Sequence, residues 1–243
     1  MASWEFPTGD PIDLRVRIPA GAITVTAVPT QVATVTLHPT HAGGKGEKFL
    51  AATRVEFDQG MLSVIAPERS GLGRNTSIDA IVELPEGSSC LVDTASADVR
   101  CTGELSAAQI RTASGDVSLD RVSGLARIGT ASGHVHLGAA TGINAETASG
   151  DLSIGRADGD VAVRSASGDV QIVSASGKRV DVKATSGDIS VAVTPGIGVY
   201  LDLSTLSGTV SSELEPTAES GSADMILQCR TISGDVQITR AAR

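Results

Sequence analysis

Residues 163–172 read Val-Arg-Ser-Ala-Ser-Gly-Asp-Val-Gln-Ile, and this stretch contains the pattern that decides the fold. At its centre is Ser167-Gly168-Asp169-Val170, and apolar residues alternate with polar ones on both sides. Such alternation is typical of a strand with one buried face. Gly permits the positive φ that a sharp corner needs, and short Ser and Asp side chains can bond nearby backbone amides. We therefore interpret the stretch as two strand segments joined by a corner.

The same pattern recurs along the second half of the chain. Its Ser stands at positions 96, 114, 132, 149, 167, 186, 207 and 233, with spacings of 18, 18, 17, 18, 19, 21 and 26 residues. Seven of the eight are followed by Gly, six have Asp two places on, and all have an apolar residue three places on. The predicted structural corners are Ser114, Gly115, Asp116, Ser132, Gly133, Ser149, Gly150, Asp151, Ser167, Gly168, Asp169, Ser186, Gly187, Asp188, Ser233, Gly234 and Asp235.

A single repeat cannot bury its apolar face, whereas copies stacked about 4.8 Å apart bury a continuous column. The repeat therefore predicts an all-β fold, a single-stranded parallel β-solenoid (β-helix) with rungs of about 18 residues. Aromatic residues make up only 2% of the chain, which fits a narrow, regular interior. No segment carries helical periodicity, so we expect negligible helix.

We expect residues 1–243 to form one β-solenoid domain. Residues 91–240 carry the regular repeats, and residues 1–90 are interpreted as degenerate rungs with an N-terminal cap, because four of the five aromatic residues lie before residue 58. We expect the last rung, residues 232–238, to be an exposed pairing edge. The strands predicted in the degenerate part are 23–28, 32–37, 53–57, 61–66 and 77–84.

Three segments interrupt the rhythm of the repeats: 38–48, 67–77 and 211–224. Insertions in solenoids map to loops, and loops on rigid scaffolds commonly carry binding. We therefore predict that these three segments are surface loops with a role in binding.

The tandem Ser-Gly-Asp-Val units are preceded by strands such as Val82-Glu83-Leu84-Pro85-Glu86-Gly87. Together these features resemble the bacterial putative-adhesin family, a group of β-solenoid repeat proteins of unknown function. The resemblance extends from about Asp13 to Ile238. It implies a β-solenoid fold and, by the family's name, surface attachment, and it provides no catalytic residues.

Charge and cysteine content exclude several classes of function. The net charge of −9 argues against binding a phosphate backbone, so no nucleic-acid partner is expected. The first residues lack a signal-peptide pattern, and no apolar run approaches the roughly 18 residues of a membrane span, so we expect a cytoplasmic protein. The three cysteines, Cys90, Cys101 and Cys229, fall in apolar columns and are interpreted as core residues.

The column of Asp side chains admits three interpretations. Each carboxylate can accept backbone N–H bonds at its own corner, which is the structural interpretation that we favour. A stacked column can also bind calcium, although the glycine-rich nonapeptide of calcium-binding β-rolls is absent. Carboxylates about 5 to 5.5 Å apart also suit a retaining glycosidase, but the repeats offer almost no aromatic platform for a sugar.

His134 replaces the Asp of its repeat, and His136 follows two residues later on the same face of the predicted strand. With a third ligand, the two histidines could hold a metal, but no third ligand is evident in the sequence. Alternatively, the two histidines are ordinary variation in a column of solvated side chains. We predict no cofactor, no small-molecule ligand and no enzymatic activity, since no serine is paired with a histidine or an acid.

Three functional hypotheses remain from the sequence. The first is a cytoplasmic scaffold or protein-interaction module, with another protein or a second copy as the partner. The second is a self-assembling, filament-forming solenoid. The third is a calcium- or carbohydrate-binding adhesin-like protein.

Overall fold

The computed structural model describes residues 1–40, 44–67, 77–214 and 223–242. In these residues the chain forms 21 strands and one short helix, so the protein is all-β, as predicted. No helix in the described ranges is long and apolar enough to cross a membrane.

The helix, α1 (Gly44–Ala51), begins inside a segment that we interpreted as a loop, so that interpretation is wrong for residues 44–48. Burial of Phe49 on α1 explains the difference, because one large apolar side chain anchors a turn whose other residues carry no periodic signal. The three predicted binding loops also include residues 41–43, 68–76 and 215–222. These residues, and with them His41, lie outside the described part of the chain.

The chain divides into two compact units, unit 1 (Met1–Ser123) and unit 2 (Gly124–Arg243). The prediction of one domain over residues 1–243, with a change of character near residue 90, stays a prediction.

The strands of unit 1 are β1 (Ala2–Pro7), β2 (Asp13–Arg17), β3 (Ala20–Val28), β4 (Val32–Pro39), β5 (Arg54–Asp58), β6 (Met61–Ile65), β7 (Ile78–Pro85), β8 (Ser89–Thr94), β9 (Ser96–Leu105), β10 (Ala107–Ser114) and the beginning of β11 (Val117–Ser132).

The parallel strands of unit 1 are stacked in an order that differs from the sequence order. β2 pairs with β6 on one side and with β8 on the other, while β3 pairs with β7 and β9. β8 and β9 in turn pair with β10 and β11. Val16 thus lies between Val64 and Val92 and is fully buried. The rung made of β2 and β3 is therefore placed between two rungs that follow it in the sequence.

Three strands from the first 58 residues run antiparallel to their neighbours. β4 pairs with β7 and with β1, and β5 pairs with β6. The rings of Phe6 on β1 and Phe57 on β5 are 5.7 Å apart, and Trp4 is half-buried on the same face of β1 as Phe6. A purely parallel solenoid is therefore wrong for these strands. The alternation that predicted them does not encode strand direction.

Unit 2 contains the rest of β11 and ten further strands. They are β12 (Val135–Ser149), β13 (Leu152–Ala157), β14 (Val161–Ser167), β15 (Val170–Ala175), β16 (Arg179–Ser186), β17 (Ile189–Val193), β18 (Val199–Ser207), β19 (Val210–Ser212), β20 (Met225–Ser233) and β21 (Val236–Arg240).

The parallel pairs of unit 2 form two ladders with matching registers. The first ladder connects β12, β14, β16, β20 and β18, and the second connects β12, β13, β15, β17, β21 and β19. In the second ladder Val135 pairs with Leu152, Leu152 with Val170, and Val170 with Ile189, which are steps of 17, 18 and 19 residues. All four side chains are buried, so each apolar column of the repeat forms one strip of the core.

The last rungs of unit 2 are not stacked in sequence order. Ile189 pairs with Val236, a step of 47 residues, and Val236 pairs on its other side with Val210. The rung made of β20 and β21 therefore lies between the rung of β16 and β17 and that of β18 and β19. Our expectation that residues 232–238 form an exposed edge is wrong. We call β18 and β19 (Val199–Ser212) the terminal rung, because no described strand pairs with their other side.

Candidate functional site

The corner glycines of unit 2 are required for two separate reasons. Gly150 and Gly168 have φ values of +127° and +126°, a region that residues with a side chain rarely adopt. A Cβ on Gly150 would also lie only 2.2 Å from the carbonyl oxygen of Gly133 on the preceding rung. The backbones of adjacent rungs thus approach too closely for any side chain. The same two conditions hold at Gly187, Gly208 and Gly234, and in unit 1 at Gly21 and Gly115.

The Asp side chains connect consecutive rungs. Oδ1 of Asp151 accepts the backbone N–H of Asp169 at 3.0 Å, and Oδ1 of Asp169 accepts that of Asp188 at 2.8 Å. Oδ1 of Asp188 accepts the N–H of Asp235 at 2.7 Å. Our interpretation that each carboxylate binds amides of its own corner is wrong, because donor and acceptor lie on adjacent rungs. Each bond to a charged acceptor offsets part of the repulsion between stacked carboxylates.

Two members of this ladder escaped the sequence analysis. Oδ1 of Asp79 accepts the backbone N–H of Ala22 at 3.0 Å, although no Ser-Gly precedes Asp79 to mark the corner. In unit 2, Thr209 donates its N–H to Oδ1 of Asp235 at 2.7 Å. Thr209 occupies the Asp position of the terminal rung and carries no carboxylate. The tetrapeptide Ser-Gly-Thr-Val shows in the sequence that Thr replaces Asp in this rung. The sequence does not show that this rung lies at the end of the stack.

His134 takes the place of an Asp in the ladder of unit 2. Its Nδ1 accepts the backbone N–H of Asp151 at 3.3 Å, so the proton of the neutral ring lies on Nε2. His136 is exposed on β12. Within the described ranges, no group of three His, Cys, Asp or Glu side chains is arranged to hold a metal ion. The role of His134 in the structure is therefore that of a hydrogen-bond acceptor between rungs.

The three cysteines are buried and free of disulfides. A hydrogen bond with Cys90 and burial together raise the pKa of the Cys101 thiol well above its usual range. Burial, with a smaller effect from the charge of Asp181, raises the pKa of Cys229 to about 12. All three thiols are buried, and Cys101 and Cys229 have the opposite of the lowered pKa that a nucleophilic thiol needs.

A cleft of about 310 Å³ lies in unit 1, where the corner between β2 and β3 meets the ends of β6 and β8. Its lining includes Pro19 and Pro67, with Arg17 and Asp93 as its ionisable groups. The volume is at the low end of small-molecule pockets, and the lining offers no cluster of convergent polar groups. The absence of a small-molecule ligand stays a prediction.

Large apolar side chains are exposed on the last two rungs of unit 2. Val210 is 43% exposed on the terminal rung, although its partner Val236 on β21 is completely buried. Leu206 is 84% and Ile232 is 53% exposed, and they are neighbours on β18 and β20. The residue at this position of earlier rungs is small: Ala113, Ala131, Ala148, Ala166 and Thr185.

A second column changes in the same way. Asp160 directly precedes β14 and accepts the backbone N–H of Arg179 on β16. The next two rungs place Ile226 beside Arg179 and Tyr200 beside Ile226. Both of these apolar side chains are exposed. Polar or small residues are thus replaced by large apolar ones in two columns of the last two rungs. We call Tyr200, Leu206, Val210, Ile226 and Ile232 the end patch.

The Toastrack DUF4097 family model matches residues 75–164 and 143–242, which together cover more than half of the 243 residues. The chain belongs to the Toastrack family. This membership confirms the resemblance to a β-solenoid-like family of unknown function. No curated protein has significant similarity to this Toastrack chain.

Solved structures support the fold of this Toastrack chain. A crystal structure of a putative adhesin from Bacteroides fragilis is 11% identical with a TM-score of 0.59, over 98% of this chain and 96% of that one. A putative lipid binding protein from Parabacteroides distasonis is 12% identical with a TM-score of 0.51, over 99% and 96%. At such identities the likeness extends to the fold alone.

Proposed function

We propose that this Toastrack chain is a non-enzymatic interaction module that binds a protein partner at the end patch, with residues 91–240 forming a parallel β-solenoid of rungs of about 18 residues. The proposal includes the cytoplasmic location expected from the sequence. Its stacked rungs supply rigidity, and the end patch supplies the contact surface.

The repeated polar groups serve the scaffold. Asp151, Asp169 and Asp188 each use a carboxylate oxygen to hold the next rung, and His134 uses Nδ1 in the same way. Catalysis by acid, base or nucleophile needs such groups to be directed at a substrate. A role in binding a partner therefore has more support than a role in chemistry.

The observation that carries the proposal is the end patch. Leu206 and Ile232 stand where earlier rungs have Ala or Thr, and Ile226 and Tyr200 stand where earlier rungs have Asp or Arg. The last two rungs thus carry two pairs of exposed apolar side chains, Tyr200 with Ile226 and Leu206 with Ile232, and exposed apolar surface is characteristic of protein-binding sites. Aromatic and aliphatic anchors at the centre of such sites contribute most of the binding energy.

Photo-crosslinking tests the proposal in cells that express the protein. A photoreactive amino acid replaces Leu206 in one variant and Val173 in the control, because Val173 is 51% exposed on β15 of the same unit but lies outside the end patch. We expect a discrete crosslinked protein, which includes the possibility of a second copy, from position 206 and none from position 173. Equal crosslinking at both positions, or none at position 206, would contradict the proposal.

A calcium- or carbohydrate-binding role has less support. The carboxylates of Asp151, Asp169, Asp188 and Asp235 already accept a backbone N–H, and the described residues contain no cluster of three metal-binding side chains. The few aromatic residues of the cap, Trp4, Phe6 and Phe57, are half-buried and so offer little surface to a sugar.

A further inference from the structure

The backbone amides of each rung follow one donor rule in unit 2. The N–H of the corner Gly donates to the Ser carbonyl of the next rung, as Gly150 does to Ser167 at 3.1 Å. The N–H two residues later donates to the carbonyl at the Asp position, as Leu152 does to Asp169 at 2.8 Å. The rule holds at five successive rungs and ends with the donors Gly234 and Val236.

The terminal rung has the same two donors but no described rung to receive them. By the donor rule, the N–H groups of Gly208 and Val210 point away from β21, beyond the last described strands. Unpaired backbone donors beside apolar side chains are costly unless water or another strand satisfies them. The terminal rung is thus an open pairing edge among the described residues.

This edge lacks the usual protection against pairing. Natural edge strands are blunted by charges, proline or bulges. From Val199 to Ser212 the only charged residue is Asp202, which accepts hydrogen bonds from Arg230 at 2.7 Å and Gln228 at 3.0 Å. Thr209 also removes the carboxylate that preceding rungs carry at this position. Two copies of the edge can therefore meet without repulsion between like charges.

No described strand of the chain covers this edge. The segment that follows Leu214 and ends before Ala223 has the sequence Glu-Pro-Thr-Ala-Glu-Ser-Gly-Ser at 215–222. These eight residues contain no large apolar side chain, and two of them are acidic. The edges formed by β1 and β5 are poor partners too, because they carry Pro7, Glu5, Arg54, Glu56 and Asp58.

We propose that the partner at the end patch is a second copy of this chain, with the two terminal rungs paired edge to edge about a two-fold axis. This inference rests on the proposed function and names its partner. A two-fold axis makes the paired edge strands antiparallel and brings each end patch against its own copy. Such an isologous contact closes on itself, so the assembly is a dimer and not a filament.

Sedimentation velocity of the purified full-length chain tests the inference. We expect a concentration-dependent dimer for the wild type, a monomer for Leu206→Asp, and a dimer for the control Val173→Asp. Both substitutions are at exposed side chains, so the melting curve of each variant under monomeric conditions should match that of the wild type. This comparison separates loss of association from loss of folding.

Hydrogen exchange adds a readout specific to the edge. The amides of Gly208 and Val210 should exchange slowly in the dimer and at least tenfold faster in Leu206→Asp, whereas the amides of Gly150 and Leu152 should not change. A wild-type monomer at all concentrations, a long polymer, or equal dissociation of Val173→Asp would overturn the inference. If the purified protein is monomeric while position 206 crosslinks to a different protein, this inference fails and the proposed function stands.

Discussion

Oδ1 of Asp169 accepts the backbone N–H of Asp188 on the next rung at 2.8 Å. The side chain of one repeat thus satisfies the backbone of the following repeat, and the same bond recurs from Asp151 to Asp235. Since Asp169 and Asp188 each have a carboxylate on the rung at either side, the bond has to offset repulsion there. What stabilises the corner is therefore an acceptor oxygen, and the negative charge is not needed for that role.

Replacing Asp169 tests this distinction. Asp169→Ala removes the acceptor and should lower the free energy of unfolding by about 1 kcal/mol, while Asp169→Asn keeps an acceptor oxygen and should be close to neutral or slightly stabilising. Urea titrations give both values. Glu213→Ala is the control, because this exposed acid makes no side-chain hydrogen bond within the described part of the chain. If Asp169→Asn lowers the free energy of unfolding as much as Asp169→Ala does, the negative charge itself is required.

Substitutions at three glycines can measure separately the cost of a strained backbone conformation and the cost of a steric clash. Gly129 has open space and no positive φ, Gly60 has φ +80° with open space, and Gly150 has φ +127° with a carbonyl oxygen 2.2 Å from the Cβ position. Substitution by Ala should leave the free energy of unfolding nearly unchanged at Gly129, lower it by about 1 kcal/mol at Gly60 and lower it by about 2 kcal/mol or more at Gly150. Thermal denaturation measures the series. An equal loss at Gly60 and Gly150 would mean that the rungs do not approach as closely as described.

The buried thiols should resist modification. With burial raising the pKa of Cys229 to about 12, roughly one thiol in ten thousand is ionised at pH 8. A thiol reagent at pH 8 should therefore label no cysteine in the native protein and three after denaturation. Val173→Cys provides the matched control, because its exposed thiol should react at once. Rapid labelling of a wild-type thiol in the folded protein would contradict the prediction.

The raised pKa of Cys229 predicts that the folded protein loses stability at alkaline pH. The neutral thiol favours the folded state at any pH below its unfolded pKa of about 8.5, and this contribution is lost as the pH rises toward 12. Replacing Cys229 by Ala should therefore make the melting temperature less sensitive to pH above about 9. An unchanged pH profile would mean that Cys229 is accessible to hydroxide in the folded state.

Asp202 should contribute stability that is lost in acid. Hydrogen bonds from Arg230, and then from Gln228, lower the pKa of its carboxyl group in the folded protein. The contribution is thus complete above the unfolded pKa of about 3.9 and disappears as the pH falls through the lower folded value. The melting temperatures of the wild type and Asp202→Asn should converge as the pH falls below about 4. A constant difference between the two melting temperatures from pH 7 to pH 2.5 would mean that the ionised Asp202 carboxylate does not stabilise the folded protein.

Local features of the fold were predictable because they depend on residues close in the sequence. The repeat around Ser167-Gly168-Asp169 identified the corners and the buried columns, since alternation with period two and the positive φ of Gly are local properties. The strands of residues 23–28, 32–37 and 61–66 were found for the same reason. Helix α1 was missed, because its burial rests on the single side chain of Phe49.

The amino-acid sequence by itself determined which residues form strands, corners and core columns. Tertiary structure alone decided the order of the rungs. Val210 and Val236 occupy the same column and fit equally well beside Ile189, so no local pattern distinguishes their rungs. In the stack Asp235 lies inside, and its carboxylate oxygen accepts the backbone N–H of Thr209, which lies on the terminal rung. The end patch, and the edge beside it, exist as a surface only because of that order.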